Sequence, residues 1–238
     1  MIHLDKRLAC MAGMMTAGGR GIDVGTDHGY LAVSLVQQGS AASMIATDIN
    51  EAPLRSAQSC IRENGLEDKI ETVLTDGLQG VDLSGVTDIF IAGMGGILIT
   101  EILAARLSEL QDKNLILQPM TQSPALRAWL LEHGFAICKE RCAAVGGKAY
   151  SIINARFDGE KRPCDLLYGL IGRSWEDESE DAEIYLQTLL ARQQKVLRGL
   201  QQAENADPEK LIETRMVIAR LQELLLQRDT KEEHHDNC

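Results

Sequence analysis

Apolar residues are spaced along the first 157 positions in two alternating rhythms. Short runs with strand character occupy residues 20–25, 44–49, 70–75, 87–92 and 114–119. Patterns with a helical period occupy residues 4–16, 28–38, 51–64, 96–107 and 123–132, and Gly39, Gly65 and Gly134 stand where C-terminal caps belong. Strands that alternate with helices in this way predict βαβ units and a parallel sheet. Two further β-like runs, residues 135–142 and 149–157, are joined across Gly146 and Gly147. A link that short cannot carry a crossover, so these two are expected to pair antiparallel.

After Phe157 the pattern changes. Residues 158–163 are polar and turn-rich, which places a domain boundary there: a first domain over residues 1–158, a second over 159–230 and a polar tail over 231–238. The acidic run at residues 176–181 reads as a solvated face or a helix start. From Ala182 onward Leu186, Leu190, Leu197 and Leu200 form one stripe, and Leu211, Ile218, Leu221 and Leu225 form another. Between them Asp207-Pro208 has the form of an N-cap followed by proline at the first helical position. Two stripes with a short link predict an antiparallel, coiled-coil-like helical hairpin.

Composition adds a few limits. Hydrophobic residues make up 45% of the chain but aromatics only 4%, so the core should be aliphatic. No apolar run reaches the length of about 18 residues that a spanning helix needs, and the N-terminus meets charge at once, so neither a membrane span nor a signal core is expected. The six cysteines are scattered; the one close pair, Cys138 and Cys142, falls in a strand pattern, so no metal site is expected and free thiols suit a reducing cytoplasm. A net charge of −11 argues against indiscriminate nucleic-acid binding but leaves room for a local basic surface. Residues 192–228 supply one, with seven bases against five acids.

The candidate chemistry gathers at strand ends. Asp23-Val24-Gly25-Thr26-Asp27-His28-Gly29 follows the first strand and opens a helix. The spacing resembles a dinucleotide-binding turn, except that Asp27 stands at the second glycine and would repel a pyrophosphate. S-adenosylmethionine has no phosphate; it carries an ammonium and a sulfonium, which suit a carboxylate-rich turn. Asp48 ends the second strand, placed for ribose hydroxyls, with Asn50 beside it; either could instead cap the next helix. Asp76-Gly77 ends the third strand, where an adenine edge would lie, or is a plain Asp-Gly turn. The fourth strand ends in Ala92-Gly93-Met94-Gly95-Gly96, whose glycines permit close approach of a ligand to backbone; the plainer reading is a flexible turn with Met94 over the core. Asp23, Gly25, Asp48, Asn50, Asp76, Gly77, Ala92 and Gly93 are therefore the expected S-adenosylmethionine residues. Three consecutive strands ending in aspartate put three carboxylates on the C-terminal edge of a parallel sheet, where open α/β folds bind ligands.

Five alternating units closed by an antiparallel pair resemble the seven-stranded, Rossmann-like α/β sheet of class I methyltransferases. The segments Lys6-Arg7-Leu8, Asp23 to Tyr30, Ile91 to Gly96, Leu115 to Pro119, and Gly147-Lys148 with Tyr150 resemble the bacterial TrmK family. The resemblance runs over essentially the whole chain. It implies S-adenosylmethionine-dependent methylation of N1 of an adenine in tRNA, at position 22. It implies that the substrate side takes in Arg7, His28, Met94 and Tyr150. Asp27 is the candidate catalytic group, a carboxylate free to face the positive charge that develops on a methylated adenine, with capping of the following helix as its alternative. One departure stands out: Met120 follows Pro119 where the family has asparagine. The competing readings are a non-catalytic cofactor- or RNA-binding module, and a methyltransferase acting on a small molecule or a protein.

Overall fold

The computed structural model describes residues 2–203, 205 and 207–235, with side chains as far as residue 228. Seven strands form one sheet: β1 (Gly19–Val24), β2 (Ala41–Asp48), β3 (Ile70–Leu74), β4 (Asp88–Gly95), β5 (Asn114–Thr121), β6 (Phe135–Val145) and β7 (Lys148–Phe157), in the order β3-β2-β1-β4-β5-β7-β6. The first five run parallel, and β7 joins antiparallel to β5 and β6. Gly146 and Gly147, with φ of 58° and 74°, make the tight turn between β6 and β7 that only glycine adopts without strain.

Both faces of the sheet are covered, which is why its central strands read as continuous apolar runs. Side chains alternate between two cores: Ile89, Ile91, Leu115 and Leu117 enter one, and Phe90 and Ile116 enter the other. The first core takes up α4 (Gly96–Ala104) and α5 (Ser123–Glu132), and the second takes up α1 (Lys6–Ala12), α2 (Tyr30–Gln37) and α3 (Glu51–Glu63). A fourth strand carboxylate, Asp88, marks the opposite, N-terminal edge of the sheet. It is fully buried and accepts from Thr16 N–H, Thr16 Oγ1 and Asn114 Nδ2, a closed structural role.

Several elements depart from the sequence pattern. The leading helix is shorter than residues 4–16, because Asp5 caps Leu8 N–H at one end and the chain turns at Gly13. The helix expected from His28 starts at Tyr30, since Gly29 with φ 72° takes the N-cap position. The strand expected to end at Ala92 continues to Gly95. Its pairing with β5 shifts register around Ala92 and Met94, so Gly93 and Met94 belong to an irregular strand end and not to a flexible turn.

Residues 158–165 pack back on the first domain, with Arg162 N–H donating to Leu131 O and Asp158 N–H to Gly134 O. A short helix α6 (Leu166–Ile171) follows, then the hairpin of α7 (Glu180–Gln202) and α8 (Pro208–His235). Ser179 caps α7, and Asp207 accepts from the N–H groups of Glu209 and Lys210 at the start of α8. Helix α8 continues into the stretch read as a polar tail, whose residues 236–238 lie outside the described residues. Leu186 and Leu221 of the two leucine stripes are fully buried, Leu190 and Leu225 pack beside them, and the buried face extends to their neighbours. Tyr185, Leu186 and Leu189 of α7 and Val217, Leu221 and Leu224 of α8 share a third core with Cys142 of β6 and Ala149 of β7. The hairpin thus packs on the sheet edge as well as on itself. Among the described residues no helix is long and apolar enough to cross a membrane, and no group of three or more His, Cys, Asp or Glu could hold a metal ion.

Candidate functional site

Two clusters meet at the C-terminal edge of the parallel strands. The first is built on the β1 turn. Asp23, the last residue but one of β1, is buried and accepts from Thr26 Oγ1 at 2.7 Å. Burial pushes its pKa up to about 6, the nearby Asp48 carboxylate adds to the rise, and the Thr26 hydrogen bond opposes it. Asp23 therefore feels the charge of Asp48, at the end of the adjacent strand. Asp48 commits one oxygen to Asn50 N–H, at 2.8 Å, closing a local turn. Asn50 is the N-cap of α3, but its side chain makes no capping bond, and neither does any side chain at the start of α2. Gly25, with φ 74°, lies directly under the Met94 methyl group, so a Cβ there would collide with it.

Asp27 is one of two non-glycine residues with positive φ among the described residues, at 51°. The capping alternative is not realised, because α2 begins beyond Gly29 and has no side-chain cap. Its carboxylate is 73% exposed and lies 3.6 Å from His28 Nε2, while the His28 ring stacks on Tyr30 at 5.2 Å. Asp76 is exposed in the turn after β3, with its backbone carbonyl accepting from Gln79 N–H. Gly77, with φ 60°, packs against Ile102 and offers its carbonyl to Thr47 Oγ1. Two residues not singled out from the sequence border this edge: Ile49 and Leu74 leave large apolar side chains 61% and 51% exposed beside Asp48 and the Asp76 turn. The available signal was an apolar residue next to or near a strand-end aspartate, as in Asp48-Ile49 and Leu74-Thr75-Asp76.

The second cluster is organised by a residue the sequence motifs leave without a role. Gln118 is fully buried; its Oε1 accepts from Gly93 N–H at 3.1 Å and from Arg7 Nη1 at 2.9 Å, and its Nε2 donates to Pro119 O. Its signs in the sequence are an amide interrupting the apolar residues of β5 and its place in the Leu115 to Pro119 segment. Asp5 takes the other side of the Arg7 guanidinium, which lies 5.6 Å from the centre of the Tyr150 ring. Met120 brings its sulfur within 3.6 Å of Gln118 Nε2 and 3.9 Å of Arg7 Nη1. Arg7, Met94, Tyr150 and Gly93 are thus brought to one strand end through Gln118 and β4. Ala92 packs against the second core, and Gly93, with φ 77°, has open space where a Cβ would be.

A methyltransferase-domain family model matches residues 4–153. A curated Bacillus subtilis (strain 168) protein named tRNA (adenine(22)-N(1))-methyltransferase is 33% identical over 176 residues, covering 71% of this chain and 74% of that protein. This chain belongs to the TrmK family. The solved structure of the B. subtilis tRNA methyltransferase TrmK superposes with a TM-score of 0.80 at 28% identity, over 94% of this chain and all of that one. A Streptococcus pneumoniae protein solved in complex with S-adenosyl-L-methionine superposes with a TM-score of 0.76 at 32% identity, over 94% of this chain and 100% of that chain. The seven-stranded sheet, the hairpin and the methyltransferase class read from the sequence agree with these TrmK relatives.

Proposed function

We propose that the chain methylates N1 of adenine 22 in tRNA, using S-adenosylmethionine, in the cytoplasm. The observation that carries this reading is the meeting, at one sheet edge, of the Asp23–Asp48 carboxylate pair with the Arg7–Gln118–Gly93 cluster, in a member of this family.

The residues fit the cofactor. Asp23 is a buried carboxylate with no cation paired to it among the described residues, the α2 N-terminus lacks a side-chain cap, and Gly93 leaves a Cβ-sized space at the edge. When bound, S-adenosylmethionine supplies a methyl group on a sulfonium. Asp23 and the β1 turn would hold its ammonium end, with Gly25 admitting the backbone; Asp48 and Asn50 would hold the ribose hydroxyls. Asp76, Gly77, Ile49 and Leu74 would border the adenine, and Ala92 and Gly93 would flank the reacting end. On the substrate side, adenine N1 has its own lone pair, so no strong base is required and positioning carries the rate. Arg7, His28, Met94 and Tyr150 would place the base, and Asp27 would face the charge that develops on it. The net charge of −11 favours the second reading, a small-molecule or protein substrate. Labelled methyl transfer should enter a tRNA transcript with adenine 22 and disappear when that base is guanine. Equal incorporation into both would move the target elsewhere. No incorporation into any tRNA would leave a binding module or another substrate.

Cofactor affinity should also depend on pH through Asp23. Its carboxyl is protonated below about pH 6 in the free protein, and a bound ammonium favours the ionised form. Binding then releases a proton, so affinity should rise from pH 5 to 6 and level off above, with roughly a tenfold loss per unit below pH 6. Calorimetry at pH 5 and 7.5 tests this, with Asp23→Asn flattening the profile. A wild-type dissociation constant that does not move between those pH values would remove Asp23 from the ammonium site.

A further inference from the structure

Beside the active edge lies a cleft of about 370 Å³ that the cofactor reading does not use. One wall is the end of β5 and the turn after it, with Met120 and Gln122; the floor is the start of β7, with Lys148 and Tyr150; the other wall is α7, with Arg192 and Gln193. Met120 and Tyr150 also belong to the Arg7–Gln118 cluster, so the cleft opens from the substrate side of the site.

The cleft carries two cations and no acidic side chain among its lining residues. Nearby cations are engaged: Lys6 pairs with Asp181 at 2.9 Å, Arg173 with Glu176 at 2.7 Å, and Arg228 donates to the carbonyls of Asp177 and Ser179. The Lys148 and Arg192 side chains make no ion pair and no hydrogen bond among the described residues, and they line the same cleft, one on its floor and one on its α7 wall. Two unpartnered cations kept together in a chain of net charge −11 suit a polyanion. The neighbouring Gln122 and Gln193 are amides, and the Tyr150 and Met120 side chains offer a ring and an exposed thioether. The volume lies at the low end of the roughly 300–1,000 Å³ of small-ligand pockets, room for one nucleotide and not for a duplex. Adenine N1 sits on the pairing edge, so the target nucleotide must turn out of any pairing to expose it, which brings the adjoining backbone to the protein surface.

We infer that this cleft holds a nucleotide adjoining the target adenosine, its phosphate between Lys148 and Arg192 and its base or sugar against Met120 and Tyr150. The inference rests on tRNA as the substrate. It makes the hairpin a wall of the substrate site, with Arg192 as its contribution, and gives Met120 a role of its own.

The test compares Lys148→Gln/Arg192→Gln with a control pair on the same helix outside the cleft, Lys195→Gln/Arg198→Gln, using full-length protein and a tRNA transcript. Abolishing one phosphate interaction lowers the slope of log affinity against log salt by about 0.7–0.9. The cleft pair should therefore weaken tRNA binding about tenfold at low salt and reduce the slope by about 0.7–0.9, the loss of one phosphate contact, well beyond the control pair. Gln193→Trp, which fills the cleft without changing charge, should weaken tRNA binding and leave the slope intact. Cofactor affinity and melting temperature should stay at wild-type values in all of them. Equal losses from both pairs would mean diffuse attraction and overturn the inference, as would wild-type tRNA binding by the cleft pair. Methylation of the transcript by the wild-type protein separates these outcomes from a failure of the tRNA reading itself.

Discussion

Asp27→Asn is expected to leave the protein folded and able to bind its cofactor, and to lower the methyl-transfer rate by roughly 10²–10³-fold, the usual effect of removing one preorganised electrostatic interaction. The substitution isolates charge. Asp27 holds a left-handed backbone at φ 51°, and asparagine is among the few residues that take up this conformation readily. Alanine would add about 1 kcal/mol of backbone strain and confuse shape with charge. The carboxylate is exposed and makes no cap, so its replacement disturbs no buried partner. Single-turnover transfer at saturating tRNA reads the chemical step. A rate within a few-fold of wild type would confine Asp27 to shaping the β1–α2 turn.

The parts of this molecule that were legible in its sequence are those governed by local rules. Strand ends with Asp23, Asp48 and Asp76 could be placed because turn chemistry punctuates a βα alternation, and the Gly146-Gly147 pair fixed an antiparallel closure. What escaped depends on neighbours distant in sequence. Gln118 gains its role because Arg7, more than a hundred positions away, reaches its side chain. The extension of β4 to Gly95 follows from irregular pairing with β5, which no local pattern encodes. The hairpin leucines gave the helices and part of the face they bury, Leu186 and Leu221 among them, while Tyr185 and Leu189 join that face because the first half of α7 packs on β6 and β7 as well as on α8. Lys148 and Arg192 come together only when α7 docks beside the β6–β7 turn. Arg127 lies in a helical pattern and belongs to no motif, yet it is among the most deeply buried side chains.

That arginine should be the most sensitive structural position in the chain. Arg127 on α5 and Glu140 on β6 form an ion pair whose side chains are both 0% exposed. The guanidinium donates Nε and Nη2 to the two Glu140 oxygens, Nη1 to the carbonyls of Gly169 and Leu170 in α6, and Nη2 to Ser151 Oγ and, at 3.4 Å, to Tyr185 in α7. Burial alone would depress its pKa, but the Glu140 carboxylate overrides this and holds it above its ordinary value. Gly172 completes the junction, since a Cβ there would run into both partners. One side chain therefore ties the sheet to α6, which leads into the hairpin, and to α7, its first helix. Arg127→Met removes the donors while keeping much of the bulk. It strands the Glu140 charge and the two α6 carbonyls in a dry interior, and breaking a buried pair in this way typically costs about 3–5 kcal/mol. That is a large share of the 5–15 kcal/mol that roughly bounds domain stability. Chemical denaturation should show the loss directly. Replacing both partners, as in Arg127→Met with Glu140→Leu, should recover part of it, because no uncompensated charge then remains. Cofactor affinity measured below the melting transition should change little, since the β1–β2 edge lies elsewhere on the sheet, whereas tRNA affinity should fall as the α7 wall of the cleft loses its seat. A single variant less than about 1 kcal/mol below wild type would mean that the pair contributes little to holding the hairpin on the sheet.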